Sequence, residues 1–183
     1  MKILKALVIL SLAVIATNAA AAGKDSYYDL PIPFTDQSDR PFALSSLRGQ
    51  YVVLTMAYTS CKNACPLTMQ RLKRIESDLL LAGKKAAIVV VTLDPEHDTG
   101  KELRGYVSTY KISTPPWHLL RAAPDDTRRF SMIPGVSFQK QPGTPEITHS
   151  NKIVLLDPDG APIAEVEGLA SDTKPIVEAI QKR

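Results

Sequence analysis

The chain has 183 residues, with 22 Lys and Arg against 19 Asp and Glu, a formal charge of +3 and 44% hydrophobic residues. So mixed a charge argues against a nucleic-acid protein, and two cysteines are too few for a disulfide framework. After residue 22 no apolar run approaches the ~20 residues that a bilayer span needs.

The first 22 residues stand apart from the rest. Lys2 and Lys5 form a charged start, an apolar stretch runs on through Ile15, and Ala19 to Ala22 offer Ala-x-Ala cleavage before Gly23. That is the pattern of a secretory signal peptide, which leaves residues 23–183 as one domain in the periplasm. An uncleaved N-terminal membrane anchor is the alternative. No cysteine lies near the cleavage site, which closes the lipoprotein route. Export puts Cys61 and Cys65 where disulfides can form, but one C-x-x-x-C pair needs an explanation of its own.

Strands and helices then alternate. Residues 51–58 and 86–93 are continuous apolar, β-favouring runs, as expected of central strands buried on both faces. Between them Met69, Leu72, Ile75, Leu79 and Leu80 recur at helical spacing, predicting a helix over Pro66–Ala82 that stops at Gly83. Together these make a β-α-β unit with a parallel strand pair. A second helix is expected over Thr99–Tyr110, opened by Thr99-Gly-Lys-Glu102 with capping-box spacing. Trp117–Ala122 reads as a third strand and Asp125–Met132 as a short helix. Ser137–Ser150, with Pro142, Gly143 and Pro145, reads as a long loop; loops of that length often carry function, so its histidine, His149, is a candidate. Lys152–Asp157 and Ile163–Gly168 flank Pro158-Asp159-Gly160 as a hairpin, and Asp172–Lys182 closes the chain as a helix.

An α/β unit with a cysteine pair between its first core strand and first helix, followed by a hairpin and a terminal helix, describes a thioredoxin-like fold: a central mixed β-sheet flanked by helices. A regular helix holds residues four apart with Cβ atoms about 5–6 Å from each other. A disulfide wants about 3.8 Å, whereas a metal with bonds near ~2.3 Å bridges sulfurs roughly 4 Å apart, so the spacing favours metal capture without excluding a disulfide. The helix N-terminus and Lys62 are both expected to favour thiolates, which serves either use.

Thr59-Ser-Cys61-Lys-Asn-Ala-Cys65-Pro66 resembles the T-x-C-x-x-x-C-P motif of the Sco (SenC) family. Asp94-Pro-Glu-His-Asp98-Thr99 is similar to that family's D-P-x-x-D-T segment, and His149-Ser150 followed by Asp157-Pro-Asp-Gly160 to its H-S and D-P-x-G segments. The resemblance covers about residues 27–182. It implies copper, as Cu(I) or Cu(II), held by Cys61, Cys65 and His149, and a copper chaperone that assists assembly of the binuclear copper centre of cytochrome c oxidase. The implied partner is the apo copper-site subunit of a terminal oxidase, or another periplasmic copper or thiol protein, with membrane contact only through that oxidase.

Soft thiolates select Cu(I) and imidazole suits copper, so the implied ligand types agree with the metal. A thiol-disulfide oxidoreductase acting on a partner's cysteines stays open, with Cys61 and Cys65 as catalytic residues forming a redox-active disulfide. His97 and His118 read as an ordinary loop residue and an ordinary strand residue, and Asp94 and Asp98 as turn and cap residues. Many Sco sequences carry an acid between the cysteines and another before the histidine. Here Lys62, Asn63 and Thr148 stand in those places, so no carboxylate is at hand to orient the imidazole.

Overall fold

The computed structural model describes residues 26–62 and 64–182. The expected signal peptide and Asn63 lie outside the described residues. The chain runs through β1 (Phe34–Asp36), β2 (Pro41–Phe42), β3 (Tyr51–Ala57), α1 (Ala64–Leu81), β4 (Ala86–Thr92), α2 (Gly100–Tyr110), β5 (Trp117–Arg121) and α3 (Pro124–Met132). It ends with β6 (Phe138–Lys140), β7 (Ile147–His149), β8 (Lys152–Leu156), β9 (Pro162–Glu167) and α4 (Lys174–Gln181).

Seven strands form one mixed sheet in the order β2-β1-β5-β4-β3-β8-β9. β3, β4 and β5 are parallel, with Tyr51 opposite Ala86 and Ile88 opposite Trp117, and the remaining pairings are antiparallel. The sheet and its flanking helices are the expected architecture. Val52, Val53, Leu54, Ile88, Val89 and Val91 are fully buried, which is why these two strands are apolar without alternation. The α1 side chains Met69, Leu72, Ile75 and Leu79 fill one buried stripe at helical spacing, and α1 packs on β4 and α4.

Several boundaries differ from the sequence expectations. Helix α1 begins at Ala64, not Pro66, so Cys65 lies inside the helix and Cys61 before it. Pro66 is tolerated there because a first-turn amide has no helical partner to lose. Helix α2 is preceded by Thr99 as expected, but the Thr99 hydroxyl donates to the Glu102 carboxylate and makes no bond to the helix backbone, so the capping box is not closed. The opening segment contributes two short strands that the sequence did not signal. The stretch 137–150 is not a plain loop but a two-stranded hairpin, β6 against β7, with Phe138 opposite His149 and Lys140 opposite Ile147. The turn expected at Pro158-Asp159-Gly160 is present. Gly160 has φ +86°, and a Cβ there would come within 2.6 Å of the Ser26 hydroxyl and the Tyr28 ring, so both the conformation and the close approach require glycine.

Candidate metal centre

β3, an interior strand of the sheet, ends at Ala57, and residues 58–62 connect it to α1. Asp98, only 1% exposed, braces this loop: its carboxylate accepts the Thr59 N–H at 3.0 Å and the hydroxyls of Thr59 and Thr92. Asp98 is therefore not the turn or cap residue the sequence suggested. Burial pushes its carboxyl up, against the hydrogen bonds from Thr59 and Thr92.

Cys61 is half-buried and its Sγ accepts the Cys65 N–H at 3.3 Å, so the first cysteine satisfies an amide in the first turn of the helix that holds the second. Cys65 is completely buried. No disulfide joins them. The expectation that the helix terminus and Lys62 make thiolates fails for Cys65. Burial pushes that thiol well above its ordinary range, the neighbouring Cys61 adds to the effect, and the Tyr58 backbone hydrogen bond opposes it too weakly.

His149 arrives from the hairpin. One ligand atom each from Cys61, Cys65 and His149 lie within 4.8 Å of one another, against the roughly 4 Å separations of a trigonal centre with bonds of about 2.0–2.3 Å. The His149 Nδ1 donates to the Ser150 carbonyl at 3.0 Å, which leaves the lone pair on Nε2, and that buried nitrogen has no hydrogen-bond partner. Burial lowers the imidazole's pKa, so it stays neutral and able to ligate. A soft cation among the three residues would satisfy this orphaned acceptor and both sulfurs. The orienting group missing from the sequence motif is supplied by the Ser150 carbonyl, while Thr148 accepts instead from the Gln141 amide at 2.9 Å.

The hairpin is anchored from two sides, by groups that sequence reasoning missed. The Tyr58 hydroxyl accepts the Ile147 N–H at 3.1 Å and donates to the Ile147 carbonyl at 3.3 Å. On the other side the Lys140 ammonium pairs with the buried Asp94 at 2.9 Å and with Glu96. His97 Nδ1 also sits 2.9 Å from Asp94, so this exposed histidine belongs to the anchor and not to the thiol cluster. His118 is a strand residue whose ring packs on Phe42 at 4.8 Å. No local pattern marks Tyr58 or Lys140; their partners are 89 and 46 residues away. A cleft of about 550 Å³ opens over the cluster, with Cys61 and Lys62 on one wall and Thr144 to His149 on the other.

The sequence matches the family model described as SCO1/SenC over residues 21–183. It is 26% identical over 177 residues to the mitochondrial SCO2 homolog of Mus musculus, covering 91% of this chain but 64% of that one, so it spans under two thirds of that relative's length. The fold is shared with Arabidopsis thaliana ScoI, solved with copper bound, at a TM-score of 0.74 and 19% identity over 84% of this chain and 95% of that one. It is also shared with BsSco, described as having a disulfide switch and as a member of the Sco family of cytochrome c oxidase assembly proteins, at 0.73 and 22% over 87% and 94%.

The Asp94 anchor has a pH signature. Burial pushes the Asp94 carboxyl up, but the hydrogen bonds from His97 and Lys140 and the Lys140 charge outweigh it and hold it below the ordinary carboxylate range. A depressed folded-state pKa means stability that is present above the unfolded value, about 3.9, and lost as pH falls through the folded one. Asp94→Asn should therefore lower the unfolding free energy by about 1–3 kcal/mol at pH 7 and by progressively less toward pH 3. Denaturant titrations across that range check it; a deficit that stays constant into acid contradicts the anchor.

Proposed function

This chain belongs to the SCO1/SenC family, and on that premise we propose that it carries copper on Cys61 Sγ, Cys65 Sγ and His149 Nε2 and hands it to another protein. The observation that carries the reading is the buried His149 Nε2, left without a hydrogen bond and held in the ligating tautomer beside two thiols. Thiolates select Cu(I) and imidazole accepts either oxidation state, so the donor set suits copper and leaves it exchangeable between them. Cys61 lines the cleft and Cys65 is sealed behind it, so an incoming ligand meets the Cys61 side first. The recipient in this reading is the apo copper-site subunit of a terminal oxidase, and the setting is the periplasm, reached through cleavage after Ala22 or one residue earlier. The names borne by copper-bound ScoI and by BsSco agree with such a role.

A second reading is favoured by one specific feature, the pairing of a half-exposed Cys61 with a Cys65 amide at a helix start, which suits thiol-disulfide exchange with a partner's cysteines. His149 separates the two. His149→Ala should weaken copper retention against a competing chelator by tenfold or more while thiol titration still counts two cysteines, and exchange with a small disulfide should stay near normal. His97→Ala and His118→Ala should retain copper like the parent. Undiminished retention in His149→Ala contradicts the three-ligand site, and a matching loss in His97→Ala contradicts the choice of histidine.

The location has its own check. Mass spectrometry of the exported protein should find an N-terminus at Gly23 or Ala22 in a soluble fraction; an intact Met1 start in the membrane fraction identifies an anchored protein instead.

A further inference from the structure

We propose that Tyr58 is a positioning residue for this site, its hydroxyl fixing where the His149 nitrogen stands relative to the two sulfurs; the inference rests on the copper reading above. Gln141 N–H donates to the Glu146 carbonyl and Ser150 N–H to the Ser137 carbonyl, so the alternation of an antiparallel pair turns the backbone groups of Ile147 and His149 away from β6. Where a sheet would place another strand, this protein places one phenol. Tyr58 Oη accepts the Ile147 N–H and donates to the Ile147 carbonyl, satisfying both groups of a residue that is 5% exposed. His149 is two positions along the same strand, so its side chain leaves the same face and moves with Ile147.

Tyr58 also touches both halves of the cluster. Its ring meets the His149 imidazole edge to face, with centroids 5.9 Å apart and planes at 76°, and its carbonyl accepts the Cys61 N–H at 3.4 Å. Tyr58 itself follows β3, which is laddered to β4 on one side and β8 on the other, so its backbone continues a strand held on both edges. The result is a short rigid path from the sheet centre to the ligating nitrogen. Removing the hydroxyl alone keeps the ring packed and leaves two backbone groups unpaired, with the Lys140 anchor as the hairpin's remaining tie among the contacts described above. Two thiolates can still hold Cu(I), whereas Cu(II) depends on the imidazole, so the defect should fall selectively on the oxidised form.

The test uses the full chain carrying Tyr58→Phe. In the metal-free protein, amide exchange at Ile147 should quicken at least tenfold while α1 stays protected. After Cu(II) loading, the nitrogen hyperfine pattern in the electron paramagnetic resonance spectrum should weaken, with Cu(I) retention reduced less than it is in His149→Ala. Phe130→Ala, which opens a cavity where the ring packs on Tyr27 and Phe34, provides the control: it should lose stability yet keep the nitrogen signal. Parental exchange and parental hyperfine in Tyr58→Phe overturn the proposal, and so does loss of the nitrogen signal in Phe130→Ala, which would make the effect one of general loosening. A parent chain showing no copper-nitrogen signal at all overturns the copper reading instead, and the amide exchange at Ile147 then decides the hydroxyl's structural part alone.

Discussion

A buried carboxylate holds the thiol loop in place. Asp98 collects the Thr59 amide and the hydroxyls of Thr59 and Thr92, and so ties the residue that opens the cysteine loop to the last residue of the adjacent parallel strand. Without it three donors in a water-poor setting would lack an acceptor, each at a cost of about 1–3 kcal/mol. With the loop fixed, α1 can start at Ala64 with an amide directed at Cys61, and Tyr58 can face the hairpin at a set distance. The geometry of the cluster follows from where β3 ends.

Burial and the helix terminus act on the thiols in opposite directions, and at Cys65 burial wins. The metal-free site accordingly holds a protonated sulfur at the back and a neutral imidazole beside it, with a half-exposed sulfur at the cleft. A cation entering it must displace a thiol proton, which makes loading sensitive to pH and links it to the folded state. The same burial keeps water from the rear sulfur, so exchange is confined to the face where Cys61, Lys62 and the hairpin meet.

Much of the sheet was legible because its signal is local. Val52 to Leu54 and Ile88 to Val91 are β-branched or aliphatic without a break, and Met69, Leu72, Ile75 and Leu79 keep a strict helical period. The cysteines stood out by type and spacing. The hairpin did not: its strands have three residues each, Phe138–Lys140 and Ile147–His149, too short for alternation to register, and Pro142, Gly143 and Pro145 between them read as loop. The long loop made His149 a candidate, but only the family resemblance pointed to it as a ligand, because what makes it one is the Ser150 carbonyl on one nitrogen and burial of the other. The roles of Asp98, Lys140 and Tyr58 are tertiary. Each pairs through its side chain with a group at least 39 residues off except for the Thr92 hydroxyl, and no short-range pattern encodes such partners.

X-ray absorption at the copper edge of the Cu(I)-loaded full chain tests the central claim most directly. The account requires one copper per chain in a shell of two sulfurs at about 2.2–2.3 Å and one imidazole nitrogen at about 2.0 Å. A shell of sulfur alone, or a nitrogen contribution that persists unchanged in His149→Ala, would contradict it.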